Sequence, residues 1–328
     1  MSSSLIPASP QPVLFGGSGF IGSHVAEQAC ASGLRPATPV RTTNAFLTAL
    51  RLPQTIIDFN DDRALIHSIA GHEVVYSCLA NPRRHQPLAA LCDVEVHLTK
   101  RLIRAAAAAG ARRFVLLSTV MVYGFTRPPR AIDECWPPAP DHPYTRVALE
   151  REQQAHAAAD AVGIELVIVR PSNVLGQRDH QMARLLEAFR RGFFPLFGRE
   201  AWQFSAIDAR DLGRAILFLG QHPPAAGQTW LVSGYDTSWR ALHAALQRIT
   251  GRPAYPLVIP RGAARALGQL IEWGYPYRWE PGLTRFSVDV MSHHTLFDAG
   301  KLAATGFVTR YGLEDSLRAM ILETAVDR

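Results

Sequence analysis

The chain has 328 residues and a mass of 36.1 kDa, so we expect one large domain with a smaller appended lobe. Hydrophobic residues make up 48% of the sequence and charged residues 19%, a balance that excludes a largely disordered protein. The net charge is +6, but the arginines are dispersed without a basic run. We therefore predict no nucleic-acid partner.

The cysteines and the first residues exclude further classes. Cys30, Cys78, Cys92 and Cys135 lack the C-x-x-C spacing and histidine pairing of a zinc site, so we predict a reduced protein without a metal. The opening MSSSLIPASPQP does not have the regions of a secretion signal, and no apolar run approaches the roughly 18 residues of a membrane span. We expect a cytoplasmic protein with no membrane partner.

Short apolar runs alternate with helical segments through the first 170 residues. The predicted strands cover 13–15, 34–40, 55–59, 74–79, 114–118 and 164–169. The predicted helices cover 21–31, 63–70, 88–109 and 144–162. This alternation predicts an α/β fold with a doubly wound parallel sheet.

After residue 170 the alternation ends. Helices predicted over 182–191, 212–219 and 239–250 are accompanied by an isolated strand at 229–232. We expect residues 1–12 to form a flexible N-terminus. The Rossmann domain should cover 13–176, with returning segments near 203–235, and a smaller, mostly helical substrate lobe should cover 177–328.

A glycine-rich loop, GGSGFIG, joins the first strand directly to the first helix. Glycines in such a loop permit a tight turn and close approach to a pyrophosphate, and the helix N-terminus supplies N–H donors. A glycine-rich turn without a ligand is the alternative. The predicted dinucleotide-binding residues of this loop are Gly16, Ser18, Gly19, Phe20, Ile21 and Gly22.

The ends of the second and third strands predict which dinucleotide is bound. An acidic residue after the second strand suits the ribose of NAD, whereas a cation suits the 2′-phosphate of NADP. Here Arg41 and Thr42 follow the strand with no acid nearby, so we predict NADP(H); a plain surface arginine is the alternative. Asp58 and Phe59 are placed to cover the adenine, although an aspartate at this position also commonly caps a helix.

With this loop, STVMVYG at 118–124 and PYTRVALE at 143–150 in order, the sequence resembles the extended short-chain dehydrogenase/reductase family, also described as NAD-dependent epimerase/dehydratase-like. Matching segments also occur at 74–80, 170–176, 207–212 and 297–307. The resemblance implies that Thr119 holds the substrate oxygen and that Tyr144 donates a proton beside the nicotinamide. It also implies cofactor contacts at Leu79, Ala80, Pro171 and Val174.

The sequence departs from the family pattern where a lysine should follow the tyrosine by four residues. Ala148 stands there, and no lysine occurs between 101 and 300. A nearby ammonium lowers a tyrosine pKa from about 10, so without one we expect Tyr144 to stay protonated at pH 7. A protonated phenol is an acid for ketone reduction and a poor base for oxidation. Arg146 should point to another face of the helix, and we assign no role to Glu95, where the family often has asparagine.

Aromatic residues concentrate in two segments of the C-terminal lobe, GFFPLFG and EWGYPYRWEPG. Most should pack in the core, and some should line a pocket for an apolar substrate. We expect an NADPH-dependent carbonyl reductase whose partner is a small-molecule carbonyl substrate, and a homodimer remains open. The alternatives are a sugar-nucleotide epimerase or dehydratase, or an NADP-binding protein without catalysis. His85 and His142 are candidates for a proton relay or plain surface histidines.

Overall fold

The computed structural model of the chain describes residues 11–81, 87–125, 128, 130–198, 202–274 and 281–326. In chain order its strands are β1 (Val13–Phe15), β2 (Thr38–Val40), β3 (Gln54–Ile56), β4 (Val74–Ser77), β5 (Arg113–Leu117), β6 (Glu165–Pro171), β7 (Asn173–Leu175), β8 (Phe193–Phe197), β9 (Gln203–Asp208), β10 (Thr229–Val232), β11 (Tyr235–Ser238) and β12 (Tyr255–Ile259).

The helices of the described residues are α1 (Phe20–Ala31), α2 (Ala45–Ala49), α3 (Asp62–Ile69), α4 (Leu88–Cys92), α5 (Leu98–Ala108), α6 (Pro143–Val162), α7 (His180–Arg190), α8 (Ala209–Gln221), α9 (Trp239–Thr250), α10 (Arg261–Gly274), α11 (Arg285–Met291), α12 (Gly300–Ala303) and α13 (Leu313–Val326). A π-helical turn at Asp93–His97 joins α4 to α5, and short 3-10 turns lie at Val120–Tyr123 and Pro223–Ala225. The predicted helix over 88–109 is therefore continuous apart from this turn.

One parallel sheet organises the first part of the chain. Strands β1, β4, β5, β6 and β10 lie side by side in that order, and β2 pairs with β3. Ala37 continues the sheet from β1 to β2, because its carbonyl accepts the N–H of Leu14 at 2.8 Å and its N–H donates to Pro12 at 2.9 Å. The resulting order, β3-β2-β1-β4-β5-β6-β10, confirms the predicted doubly wound sheet and adds a seventh strand.

Both faces of this sheet are buried, because its strands are apolar on both sides. One face packs against α1 and α8 through residues such as Val25 and Ile216. The other face packs against α3, α5 and α6, where Ile103 and Ala155 are fully buried. Alanine-rich stretches of α5 and α6 allow these two helices to lie close to each other.

Three strands are shorter than predicted, and one of them, predicted over 74–79, ends at Ser77. Residues 34–37 precede β2 without belonging to it, and Pro36, which has no N–H for a ladder, lies just before the strand begins at Thr38. The predicted strand over 55–59 ends at Ile56, because Asp58 forms a turn in which its side chain accepts the N–H of Asn60 at 2.8 Å. Residues 1–10 of the predicted flexible N-terminus lie outside the described residues.

The C-terminal lobe contains helices together with small sheets that the sequence did not predict. Strands β7, β9 and β11 form one three-stranded sheet, and β8 pairs with β12. The predicted strand over 229–232 is β10, which joins the main sheet beside β6. Phe189, Phe194 and Phe204 form the lobe's core, so these aromatic residues pack rather than line a pocket. Within the described residues, no helix has both the length and the apolar character needed to cross a bilayer.

Candidate active site

The glycine loop after β1 is held by contacts that only glycine permits. Gly16 has φ of +79°, and a Cβ there would lie 2.8 Å from the carbonyl of Cys78. A Cβ on Gly22 would lie 2.0 Å from the carbonyl oxygen of Gly16. Helix α1 begins at Phe20 with no side-chain cap and no acidic residue in its first turn. Its first N–H groups are therefore suited to an anion such as a pyrophosphate.

The predicted site segments meet at the carboxyl edge of the parallel sheet. Cys78, just before Leu79 and Ala80, donates its N–H to Phe15 at 3.0 Å, which places the end of β4 beside the glycine loop. Ser118, just before Thr119, donates its N–H to Val169 at 2.7 Å. Pro171 ends β6 on the same edge, and Val174 lies in β7 shortly afterwards. Ligands of open α/β sheets bind along this edge.

The residues predicted to select the cofactor lie around the ends of β2 and β3. Arg41 and Thr42 are exposed directly after β2. Asp58 does not cap a helix, because Asp61 is the residue that caps α3. The ring of Phe59 contacts Phe15 edge-on, with 6.0 Å between ring centres. Contacts of these four side chains with a cofactor stay a prediction.

Thr119 and Tyr144 lie on two segments that pack against each other. Thr119 begins the 3-10 turn after β5, and its Oγ1 accepts the N–H of Met121 at 3.2 Å. Tyr144 lies in the first turn of α6, and α6 packs against that 3-10 turn. Both side chains are partly exposed. The backbone bond of Thr119 is the structural role that any hydroxyl at a strand end can have, and it leaves the hydroxyl proton available for donation.

His142 is the cap of α6 rather than a surface histidine. Its Nδ1 accepts the N–H of Tyr144 at 3.2 Å, and Thr145 Oγ1 accepts the N–H of His142 at 3.1 Å in return. Burial, reinforced by the positive charge of Arg285, lowers the His142 pKa to about 4. The ring is therefore neutral at pH 7, which the accepting Nδ1 requires. His85, the other candidate relay, lies outside the described residues.

Ala148 is buried in an apolar cluster beside the tyrosine. Its exposed fraction is 6%, and the cluster includes Val120, Leu231 and Phe286, with Tyr144 at its margin. Arg146 is exposed, as expected for another face of α6. An alanine here contributes packing and no positive charge.

A buried ion pair that sequence reasoning missed lies one turn further along α6. Arg151 donates to Glu95 Oε2 at 2.7 Å, to Thr99 Oγ1 at 3.0 Å and to the carbonyl of Leu79 at 3.0 Å. Glu95 Oε1 accepts the N–H of Asn81 at 2.7 Å. Both charged side chains are about 95% buried. The pair therefore fixes the segment after β4 to α6 and to the π-helical turn that carries Glu95.

A second buried network supports the end of β5. Arg170 donates through Nε to Glu152 at 3.0 Å and through Nη1 to the hydroxyl of Tyr123 at 2.6 Å. Ser118 donates its hydroxyl to the same carboxylate of Glu152. Burial raises the pKa of Tyr123 despite the nearby guanidinium. The network holds β5, β6 and α6 together directly beneath Thr119.

An aromatic wall lies beside Tyr144, and its members come from segments far apart in the chain. The ring of Phe286, on α11, lies edge-on to Tyr144 with 5.5 Å between ring centres and 5.0 Å from the ring of His142. Phe286 also contacts Phe125 at 5.8 Å, and Phe297 packs in the same cluster. Sequence reasoning did not single out Phe286, because nothing local in the sequence connects residue 286 with residue 144. Of the two aromatic segments that it did single out, residues 275–280 of the second lie outside the described residues.

The doubly wound sheet and the glycine loop, whose helix has no side-chain cap, together define a Rossmann-type fold with a site suited to a dinucleotide. The sequence profile of the NAD dependent epimerase/dehydratase family matches residues 13–233, and the chain belongs to this family.

Several characterised proteins resemble the chain over most of its length. It is 27% identical to a 2-alkyl-3-oxoalkanoate reductase of Stenotrophomonas maltophilia, covering 94% of this chain and 98% of that one. It is 24% identical to an N-acetyl-alpha-D-glucosaminyl-diphospho-ditrans,octacis-undecaprenol 4-epimerase of Escherichia coli O157:H7, covering 93% and 92%. The fold superimposes on a UDP-glucose 4-epimerase of Thermotoga maritima with a TM-score of 0.79 at 19% identity, covering 97% and 99%.

Proposed function

We propose that the protein is an NADPH-dependent reductase of a ketone on a bulky, largely apolar substrate. The observation that carries this proposal is Ala148, which is buried against the aromatic cluster where the family pattern has a lysine. The site thus combines a tyrosine and a threonine with an apolar wall. The resemblance to the 2-alkyl-3-oxoalkanoate reductase supports a ketone bearing apolar chains.

Each side chain has a distinct task in the proposed reaction. Thr119 donates a hydrogen bond to the substrate carbonyl oxygen, and Tyr144 transfers its phenolic proton to that oxygen as the carbonyl is reduced. The nicotinamide, when bound, supplies the hydride. Phe286 packs against the tyrosine ring and keeps water from this side of the site. Ala148 adds no cation that would ionise Tyr144, which favours proton donation over proton abstraction.

The proposal includes NADPH as the coenzyme. Arg41 is exposed directly after β2, where a cation suits the 2′-phosphate. The side chain of Asp58 accepts a hydrogen bond from the backbone N–H of Asn60. We expect Arg41→Ala to weaken NADPH binding about tenfold or more, with NADH binding unchanged. Arg63→Ala, at an exposed arginine of α3, is the matched control. Equal NADPH affinity of Arg41→Ala and the parent would show that the coenzyme assignment is wrong.

Epimerisation is the second candidate, because two of the characterised relatives named above are sugar 4-epimerases. Such a reaction begins with oxidation of an alcohol, for which the site needs a base. Ala148 makes Tyr144 a weak base, so we rank this function below reduction. A nucleotide-binding protein without catalysis is the third candidate.

One assay separates the three functions. The protein is incubated with NADPH and a panel of 2-alkyl-3-oxo acids, steroid, flavonoid and aromatic polyketide ketones, and NADPH absorbance and product mass are followed. We expect turnover of at least one ketone, its near-complete loss in Tyr144→Phe, and parental activity in Tyr255→Phe, a tyrosine that is 83% exposed on β12. Conversion of a UDP-sugar without net cofactor consumption selects the epimerase. Cofactor binding without turnover selects the non-catalytic protein.

A further inference from the structure

Arg178 lies in the short connector that leads from β7 into α7, a helix of the C-terminal lobe. The connector consists of residues 176–179, and its last residue, Asp179, caps α7 by accepting the N–H of Gln181 at 2.9 Å. Helix α7 then packs into the core of the lobe through residues such as Leu186. The connector is therefore the place where the chain enters the helical part of the lobe.

The backbone of the connector is held in an unfavourable conformation. Arg178 has φ of +67°, in the left-handed region that favours glycine. A Cβ on Gly176 would lie 2.6 Å from the Cβ of Ala209, so the connector lies tightly against α8. His24 Nε2, on α1, donates to the carbonyl of Gln177 at 3.0 Å. A non-glycine residue keeps a left-handed backbone only where the surrounding contacts compensate for it.

The side chain of Arg178 makes such contacts with the first turns of α1. Its Nε donates to Ser23 Oγ at 2.7 Å, and its Nη2 donates to Glu27 Oε2 at 2.7 Å. Ser23 Oγ in turn donates to the carbonyl of Phe20, the first residue of α1, at 2.8 Å. The guanidinium is thus linked by two hydrogen bonds to the turn whose N–H groups suit a pyrophosphate.

The same guanidinium also contacts α2. Its central carbon lies 4.8 Å from the ring centre of Phe46, at a distance suited to a cation–π contact. Helix α2 follows the exposed segment of Arg41 and Thr42. A residue of the connector therefore contacts both helices that follow the first two strands, and both helices flank the predicted dinucleotide site.

We propose that Arg178 couples dinucleotide binding to the start of the substrate lobe. A ligand that holds the first turn of α1 in this arrangement also favours the arrangement of the connector, because the two share the Arg178 contacts. By thermodynamic reciprocity, the ordered connector strengthens binding of that ligand to the same degree. Arg178 is a positioning residue, because it acts through Ser23 and Phe46. The inference rests on the dinucleotide-binding part of the proposed function and not on ketone reduction.

Equilibrium binding of NADPH and NADH, followed by nicotinamide fluorescence without a ketone, tests one direction of the coupling. We expect Arg178→Met to bind both dinucleotides at least about fivefold more weakly, because both contain the pyrophosphate. Arg178→Gly suits the left-handed backbone and should show the same loss, which covers the case in which Arg178→Met does not fold. Arg112→Met is the matched control, because Glu165 keeps Arg113 as a partner at 2.8 Å; its affinity should be parental.

A double-mutant cycle separates positioning from a general loss of stability. Ser23→Ala should also weaken dinucleotide binding, and the double variant Ser23→Ala/Arg178→Met should bind little more weakly than Arg178→Met alone. A role limited to stability would lower the Tm of Arg178→Met and leave the dinucleotide affinity of the folded protein, measured well below that Tm, at the parental value.

Amide hydrogen exchange tests the other direction of the coupling. Saturating NADPH should slow exchange in the peptide covering 177–183 of the parent, and much less in Arg178→Met. Parental dinucleotide affinity of Arg178→Met, or equal protection of this peptide by NADPH in the two proteins, would overturn the proposal. A parent that binds neither dinucleotide would overturn this proposal and the proposed function together. Weaker binding by Arg178→Met in a protein that reduces no ketone would support the coupling and contradict only the reductase.

Discussion

Ala148 and Arg151 lie about one turn apart on α6, and only Arg151 brings a charge to this part of the helix. Ala148 packs among apolar side chains, whereas Arg151 brings a buried cation to the carbonyl of Leu79. Because Glu95 binds that cation directly, its charge is neutralised within the pair. Arg151 is thus a positioning residue for the segment after β4 rather than a replacement for the missing lysine.

Removal of one member of this buried pair should be costly. Arg151→Met leaves Glu95 buried without its partner, so we expect a loss of about 3–5 kcal/mol in the free energy of unfolding, measured in urea. Arg101→Met is the matched control, because its pair with Asp62 also joins two helices but is 27% and 68% exposed; it should cost less than about 1 kcal/mol. The double variant Glu95→Gln/Arg151→Met should recover much of the loss. Equal costs for Arg151→Met and Arg101→Met would contradict the role of the pair.

His142 should make stability depend on pH. The unfolded histidine titrates near 6.5, and the folded one near 4, so the unfolded state binds more protons between these values. The free energy of unfolding therefore has its full value above pH 6.5. It falls by up to about 3 kcal/mol as the pH is lowered to about 4.

His142→Asn retains a capping side chain and should flatten this pH dependence, as measured by urea unfolding at several pH values. His67→Asn, at an exposed histidine of α3, should leave the dependence as it is in the parent. An unchanged slope in His142→Asn would show that another group causes it.

The sequence singles out candidate site residues where a local pattern exists, and their roles stay a prediction. Thr119, Tyr144 and Ala148 were identified by their order and spacing. The Glu95–Arg151 pair was not, because its members are 56 residues apart and meet only when α6 packs against the π-helical turn. The cap formed by His142 is local, but histidine is not among the preferred capping residues, so the signal for it in the sequence is weak.

The shape of the glycine loop depends on the close contact between the start of α1 and the residues that follow β1. Gly22→Ala would place a methyl group 2.0 Å from the oxygen of Gly16, so we expect loss of dinucleotide binding together with a lower Tm. Gly262→Ala, in α10 with no atom within 4 Å of the added Cβ, should keep binding and Tm at parental values or slightly above. Thermal unfolding and equilibrium NADPH binding measure both effects. Retained binding in Gly22→Ala would contradict the packing role of this glycine.

The main sheet was easier to predict than the small sheets of the C-terminal lobe. Strands β4, β5 and β6 each contain an unbroken apolar run, because both faces of the sheet are buried there. Strands β7 and β11 have three and four residues, and β8 and β12 each contain a proline. Such short or proline-containing strands form through pairing with distant partners, which leaves little periodicity in the sequence.

Three parts of the chain that are distant in sequence together form the candidate site. The first part supplies the glycine loop, the middle supplies Thr119 and Tyr144, and α11 supplies Phe286. The sequence predicted the first two parts, because each lies in a local motif. It could not predict the third, because the position of α11 depends on how the lobe folds back onto the sheet.

Ketone reduction is tested most directly by following whether hydride passes from NADPH to the substrate carbonyl carbon. The protein is incubated with NADPH that carries deuterium at C4 of the nicotinamide, using the stereoisomer whose label is transferred, and the product alcohol is analysed by mass spectrometry. We predict that the product gains one deuterium at the former carbonyl carbon and that Tyr144→Phe yields almost none. A ketone panel that remains unlabelled and unreduced, or a sugar epimer formed with its hydrogen retained and the cofactor label unused, would contradict the proposed reduction.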